Sequence, residues 1–161
     1  MGCLGVHFAI DSGTARELLA ADDDDAVMAL IEEIEESGDF VHCDTDKAWD
    51  AIHRSLTDGT LAYDNGTYPR NAAVLGGRLL HDGDDYIVSY LTPEQVADVA
   101  AALADVDDAA LRAGYDRIDP NEYIQFGAED FEYTSTNFAD LRVFFQACAA
   151  TSAHVIFTVD Q

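Results

Sequence analysis

The chain has 161 residues and 17.5 kDa, with 32 Asp and Glu against 8 Lys and Arg and a formal net charge of -24. Hydrophobic residues make up 48% and charged residues 25%, so the chain can build a core despite its acidity, and its length fits a single domain over residues 1–161. A folded chain of this size exposes ~8,000 Å², or one net negative charge per ~330 Å², a surface that repels phosphate backbones. The basic residues Arg16, Lys47, Arg54, Arg70, Arg78, Arg112, Arg117 and Arg142 are scattered singly, which disfavours a nucleic-acid partner. The same charge disfavours an anionic membrane surface, no apolar run approaches the ~20 residues of a spanning helix, and no basic segment precedes an apolar leader. A cytoplasmic location is expected. Cys3, Cys43 and Cys148 are odd in number and lack C-x-x-C spacing, so neither a disulfide framework nor a zinc site follows. Cys3 and Cys148 lie in apolar stretches and are expected in the core.

Leu4, Val6, Phe8 and Ile10 alternate with Cys3, Gly5, His7 and Ala9, the period-two pattern of a strand. Thr14-Ala15-Arg16-Glu17 matches a capping box and opens a short helix carrying Leu18 and Leu19. Asp22 to Asp25 suit the positive end of a second helix, whose buried stripe is Val27, Leu30, Ile31 and Ile34 and whose left-handed stop is Gly38. A third helix is expected from about Thr45 to Thr57, with Asp44 as N-cap, Asp46 in the first turn, and Trp49, Ile52 and Leu56 buried. Residues 58–72 are rich in turn signals and longer than an ordinary connection. Asp82-Gly83 reads as the turn of a hairpin joining Arg78–His81 to Tyr86–Tyr90.

Thr92, Pro93 and Gln95 form a capping box with proline at the first helical position, stapled by Leu91 and Val96, and open a helix to about Asp105. Asp107 caps a further short helix with Gly114 as its stop, followed by an irregular stretch from Asp116 to Gly127. From about Asp130 a helical stripe of Phe138, Leu141, Phe145 and Cys148 follows, with Thr134-Ser135-Thr136 a point of interruption. His154–Val159 reads as a last strand. The expected fold is one α+β domain, a small sheet in which the first and last strands are central or adjacent, with several helices packed on one face.

Several segments converge on one family: Met1 to Gly5, Asp44-Thr45-Asp46-Lys47-Ala48-Trp49 with Ile52-His53, Leu56 to Gly59, Val74 to Gly77, Tyr90 to Val96, and Leu141 to Phe145. The pattern resembles the YfbM-like family of small bacterial proteins over nearly the whole chain, and the Asp-x-Asp-Lys-Ala-Trp-x-x-x-His segment is its most specific part. The resemblance implies an α+β fold. The family is a domain of unknown function, so it implies no reaction, cofactor or catalytic residue.

No catalytic motif is present: G-x-S-x-G and cysteine signatures are missing, and Gly76-Gly77 lacks the remainder of a phosphate loop. His42, Asp44 and Asp46 offer an imidazole and two carboxylates, but the two carboxylates are accounted for as cap and dipole partner, and no metal is expected. Trp49 and His53, four apart, would make a stacking platform if exposed; the apolar stripe places Trp49 in the core and His53 at its edge, donating to a carbonyl or carboxylate. Two functional readings remain. Residues 21–46 hold eleven Asp and Glu and no Lys or Arg, a field that attracts a basic protein partner through Asp24, Glu32, Glu35 and Glu36 unless it is simply adaptation to salt. The alternative is an anionic-metabolite binder or enzyme at Arg70 and Arg78 with Tyr63, Tyr68 and His53. Neither reading calls for a cofactor.

Overall fold

The computed structural model describes residues 3–160. The described elements run β1 (Gly5–Ile10), α1 (Ser12–Ala20), α2 (Asp24–Ser37), β2 (His42–Asp44), α3 (Trp49–Leu56), a 3-10 turn (Arg70–Ala73), β3 (Arg78–Asp82), β4 (Tyr86–Leu91), α4 (Pro93–Ala104), α5 (Asp108–Tyr115), α6 (Ala128–Ala150) and β5 (His154–Asp160). The sheet has five antiparallel strands in the order β2-β1-β5-β4-β3. The last strand lies at its centre, beside the first, as the two apolar termini predict. The domain is α+β.

The helices cover both faces of the sheet rather than one. Period two sends Val6, Phe8 and Ile10 to one side with Val88, Tyr90 and Ile156, where α1 and α2 bury Leu18, Val27, Ile31 and Ile34 against them. The opposite side carries Leu91, Val155, Phe157 and Val159 and is covered by α3, α4 and α6 and the 3-10 turn. Both sides of the central strands are apolar, so each needs its own helical layer. A smaller cluster of Ala51, Tyr115, Ile118 and Tyr123 extends the second layer outward.

Local signals of capping and turning hold closely. Thr92 and Gln95 close the capping box of α4, Asp23 caps α2 and Asp107 caps α5, and Gly38 ends α2 at φ 68°. The hairpin turns after Asp82, with the Gly83 N–H donating to the Tyr86 carbonyl at 2.9 Å. Four expectations are corrected. Helix α1 starts at Ser12, because the Asp11 carboxylate accepts from the Thr14 N–H at 2.7 Å and pre-empts the Thr14 box. Asp44 ends an edge strand instead of capping a helix; its carboxylate accepts from the Asp46 N–H at 2.7 Å, in a turn where Asp46 takes φ 49°, and α3 begins only at Trp49. Gly114 lies inside α5 as the point of closest approach to α3, where an added Cβ would stand 2.0 Å from the Ser55 carbonyl oxygen. Helix α6 runs unbroken through Thr134 to Thr136, where Thr134 is packed in the interior and the Thr136 hydroxyl bonds back to the Glu132 carbonyl at 2.9 Å.

Trp49 ties α3 to the sheet. Its indole N–H donates to the Cys3 carbonyl at 2.7 Å, its ring sits 6.0 Å from that of Phe157, and it lies against Gly5, where a Cβ would come within 2.7 Å of the indole. The side chain is 4% exposed, which places it in the core as its stripe predicts. Cys148 and Cys43 are buried and desolvation pushes both thiols up to about 11, whereas Cys3 is exposed, contrary to expectation, because it precedes the first paired residue of β1. Trp49→Ala is expected to lower unfolding free energy by ~3 to 5 kcal/mol in urea denaturation, the usual cost of deleting a buried large aromatic side chain; a loss below about 1 kcal/mol would contradict this packing.

Candidate functional site

The long connection after α3 is organised by His53. Helix α3 points its imidazole inward at 1% exposure, where Nε2–H donates to the Ala62 carbonyl at 2.9 Å and to Asn65 Oδ1 at 2.6 Å, while Nδ1 accepts from the Leu75 N–H at 3.3 Å. The Asn65 amide then donates to Asp58 at 2.7 Å and to the Thr60 hydroxyl at 3.1 Å. Bonds from the Thr60 hydroxyl and amide, then from Asn65, hold the Asp58 carboxyl below its ordinary value, and burial pushes the His53 imidazole down. Both ring nitrogens are committed to the backbone and loop, so His53 acts as a loop anchor. Its carbonyl partner is the kind expected of it, though the ring is fully buried and not at an edge.

The tyrosines of the arginine reading are engaged with other parts of the fold. Tyr63 donates its hydroxyl to the Gly77 carbonyl at 3.0 Å, and Tyr68 donates to Asp98 at 2.7 Å. Burial, then the bond to Asp98, pushes the Tyr68 phenol up to about 12. Arg70 and Arg78 are exposed and make no ion pair among the described residues. None of the five described clefts is lined by either arginine.

The acidic segment does form a concave surface. Asp25, Met28, Ala29 and Glu32 follow one another along the outer stripe of α2, and with Glu35 and the Tyr86 ring of β4 they line a groove of about 460 Å³ floored by Ile31. Glu35 accepts the Tyr86 hydroxyl, which fixes that carboxylate at the groove wall. Burial, then the bond to Glu35, raises the Tyr86 phenol above its usual range. Asp24 lies outside the groove, 3.3 Å from His81 of β3, and Glu32 and Glu36 are exposed on the helix. Tyr86, seen in the sequence only as a strand residue, is the part of this surface that the charge pattern could not reveal.

A second cleft, of about 440 Å³, opens beside Trp49 and is lined by Cys3, Lys47, Asp50, Leu61, Tyr123 and Gln125 as well. Asp50 is tied to Arg54 at 2.6 Å within α3, and Arg54 in turn stands over the Tyr123 ring at 5.6 Å. His42, Asp44 and Asp46 do not converge: Asp44 and Asp46 are engaged in the turn, with Asp46 accepting from Tyr133 at 2.5 Å. Among the described residues no group of three or more His, Cys, Asp or Glu is close enough to hold a metal ion. One further polar contact joins α1 to the sheet, with His154 Nδ1 2.6 Å from the Tyr90 hydroxyl and its Nε2 3.4 Å from the Ser12 hydroxyl. The latter distance is long for a polarised nucleophile and its base. No described helix is long and apolar enough to cross a membrane.

A family model described as a domain of unknown function, DUF1877, matches residues 1–158. Among solved structures the chain is similar to a protein of unknown function, YfbM from Escherichia coli, at 23% identity and a TM-score of 0.73, over 97% of this chain and 99% of that one. That likeness shows the fold. A search of curated proteins found no match.

A second buried imidazole supplies a pH-dependent term. His7 of β1 is 1% exposed among Phe144, Phe145 and Phe157, donates Nε2–H to the Ala73 carbonyl at 2.7 Å, and leaves Nδ1 without a partner. Burial lowers its pKa from 6.5 to about 4. The unfolded chain therefore takes up a proton that the native state refuses. His7 contributes stability that is present in full above pH 6.5 and is lost as pH falls towards 4. In His7→Leu the slope of unfolding free energy against pH across this window is expected to fall by roughly 1.4 kcal/mol per pH unit relative to wild type, read from denaturation at several pH values. An unchanged slope would show that His7 charges freely in the fold.

Proposed function

The chain belongs to the DUF1877 family of domains of unknown function, and because that membership brings no activity with it, we propose from its surface that the protein is a non-enzymatic binding module for a basic protein partner. The observation that carries this reading is the groove on α2, where Asp25, Glu32 and Glu35 surround an apolar floor of Met28 and Ile31 beside Tyr86. Carboxylates spread evenly over a surface attract cations without orienting them. Here three of them border a slot that can take the aliphatic stem of an Arg or Lys while its head meets a carboxylate. The lining contains no Lys or Arg to compete. The surrounding field, with eleven Asp and Glu over residues 21–46, raises the rate at which such a partner arrives. Asp24 and Glu36 extend the negative stripe beyond the two ends of the groove.

Oligoarginine is a suitable probe because it supplies the chemistry without a specific sequence. Its binding, followed by fluorescence anisotropy, is expected to weaken by about tenfold or more between about 50 and 300 mM salt, as the Debye length drops below ~8 Å. Charge reversal at Glu32 and Glu36, which make no side-chain bond among the described residues, should weaken it by about tenfold at low salt, whereas the same reversal at Glu129 and Glu132 of α6 should leave it within about twofold. The two double variants have equal net charge. If both weaken binding alike, the attraction belongs to the overall charge and the α2 site is refuted.

A further inference from the structure

The cleft beside Trp49 lies on the opposite helical layer from the acidic groove and is built differently. Its apolar wall is Leu61 with the exposed edges of the otherwise buried Trp49 and Tyr123, and its polar groups are Lys47, Asp50 and Gln125. Lys47 is the one lysine in the chain and makes no ion pair among the described residues. Asp50 is held by Arg54 through a single oxygen, Oδ1, at 2.6 Å, and its side chain keeps 24% exposure. Lys47 and Asp50 thus present opposite charges three residues apart without pairing with each other.

The walls are preorganised. The indole is fixed by the Cys3 carbonyl, and Tyr123 is 7% exposed, donates its hydroxyl to Asp130 at 3.1 Å and is backed by the Arg54 guanidinium. A volume of about 440 Å³ lies in the range of small-molecule sites, and a rigid apolar wall with a few fixed polar groups is their usual construction. Charge selects among small molecules. A simple anion meets the field of a chain with net charge -24, and a simple cation leaves Lys47 unmatched. A zwitterion carries no net charge and matches both groups.

We infer that this cleft binds a free amino acid or an amino-acid-like zwitterion with an apolar side chain. The carboxylate pairs with Lys47, the ammonium donates to the free oxygen of Asp50, and the side chain lies on Leu61 and the exposed edges of Trp49 and Tyr123. Gln125 at the rim offers both a donor and an acceptor to either end.

Trp49 is the only tryptophan, so its emission reports occupancy directly. L-phenylalanine is expected to change that emission saturably, with N-acetyl-L-phenylalanine and L-phenylalaninamide each at least about tenfold weaker, since each lacks one of the two charges. In Lys47→Gln, an exposed position whose folding circular dichroism can confirm, phenylalanine and phenylalaninamide should bind within about twofold of each other. Absence of a saturable response to phenylalanine up to about 10 mM would overturn the inference. So would N-acetyl-phenylalanine binding as tightly as the free amino acid, or discrimination that survives in Lys47→Gln.

Discussion

The whole arrangement depends on the insertion of β5 between β1 and β4. Residues Val155 to Val159 pair with Gly5 to Ala9 on one side and with Ile87 to Leu91 on the other, so the centre of the sheet is closed by the last segment of the chain. A central antiparallel strand has no free hydrogen-bonding edge, and its two sets of side chains face two different layers. Val155, Phe157 and Val159 look toward α3, α4 and α6, whereas Ile156 looks toward α1 and α2. The two candidate surfaces follow from that division. The groove on α2 is completed by Tyr86 from β4 on the first side, and the Trp49 cleft is built outward from Phe157 on the second.

The few basic side chains are distributed unevenly between these layers. Arg54 bonds Asp50 and stands over Tyr123, Arg112 stands over Phe131 at 4.6 Å and pairs with Asp116, Arg117 donates to the Thr57 carbonyl, and Arg142 donates to the Val106 carbonyl. All four brace α3, α5, α6 and the loops between them. Guanidinium suits this work because it can satisfy a carbonyl or carboxylate while lying flat on an aromatic ring. On the α2 side Arg16 of α1 is exposed and makes no ion pair among the described residues, and Glu32, Glu33 and Glu36 face solvent.

Buried imidazoles do a related job inside the fold. His53 ties the segment from Ala62 to Leu75 to α3, and His7 ties the 3-10 turn to β1 through the Ala73 carbonyl. A neutral imidazole can donate to a carbonyl that an apolar side chain would leave unsatisfied, and the cost is sensitivity to acid. The connection from residue 57 to 77 thereby becomes a fixed part of the second layer, and Leu61 within it can serve as a wall of the Trp49 cleft.

Whatever depends on neighbours a few residues apart was legible in the sequence. The capping of α2, α4 and α5, the Asp82-Gly83 turn, the stripe that buries Trp49 and the pairing of the two terminal strands all rest on local hydrogen bonds or on the period of apolar residues. The acidic stretch of α2 was likewise visible as a segment. Tertiary structure alone decided the rest. Two helical layers, the strand at His42–Asp44, the role of Gly114 as a contact rather than a stop, and the exposure of Cys3 each arise from what packs against a segment, which a periodic pattern does not specify. Both clefts belong to this second class. Tyr86 reaches α2 from a strand some fifty positions away, and Leu61 from one loop and Tyr123 and Gln125 from another reach Trp49, because concave surfaces form where distant parts of a chain meet and local periodicity carries no record of that meeting.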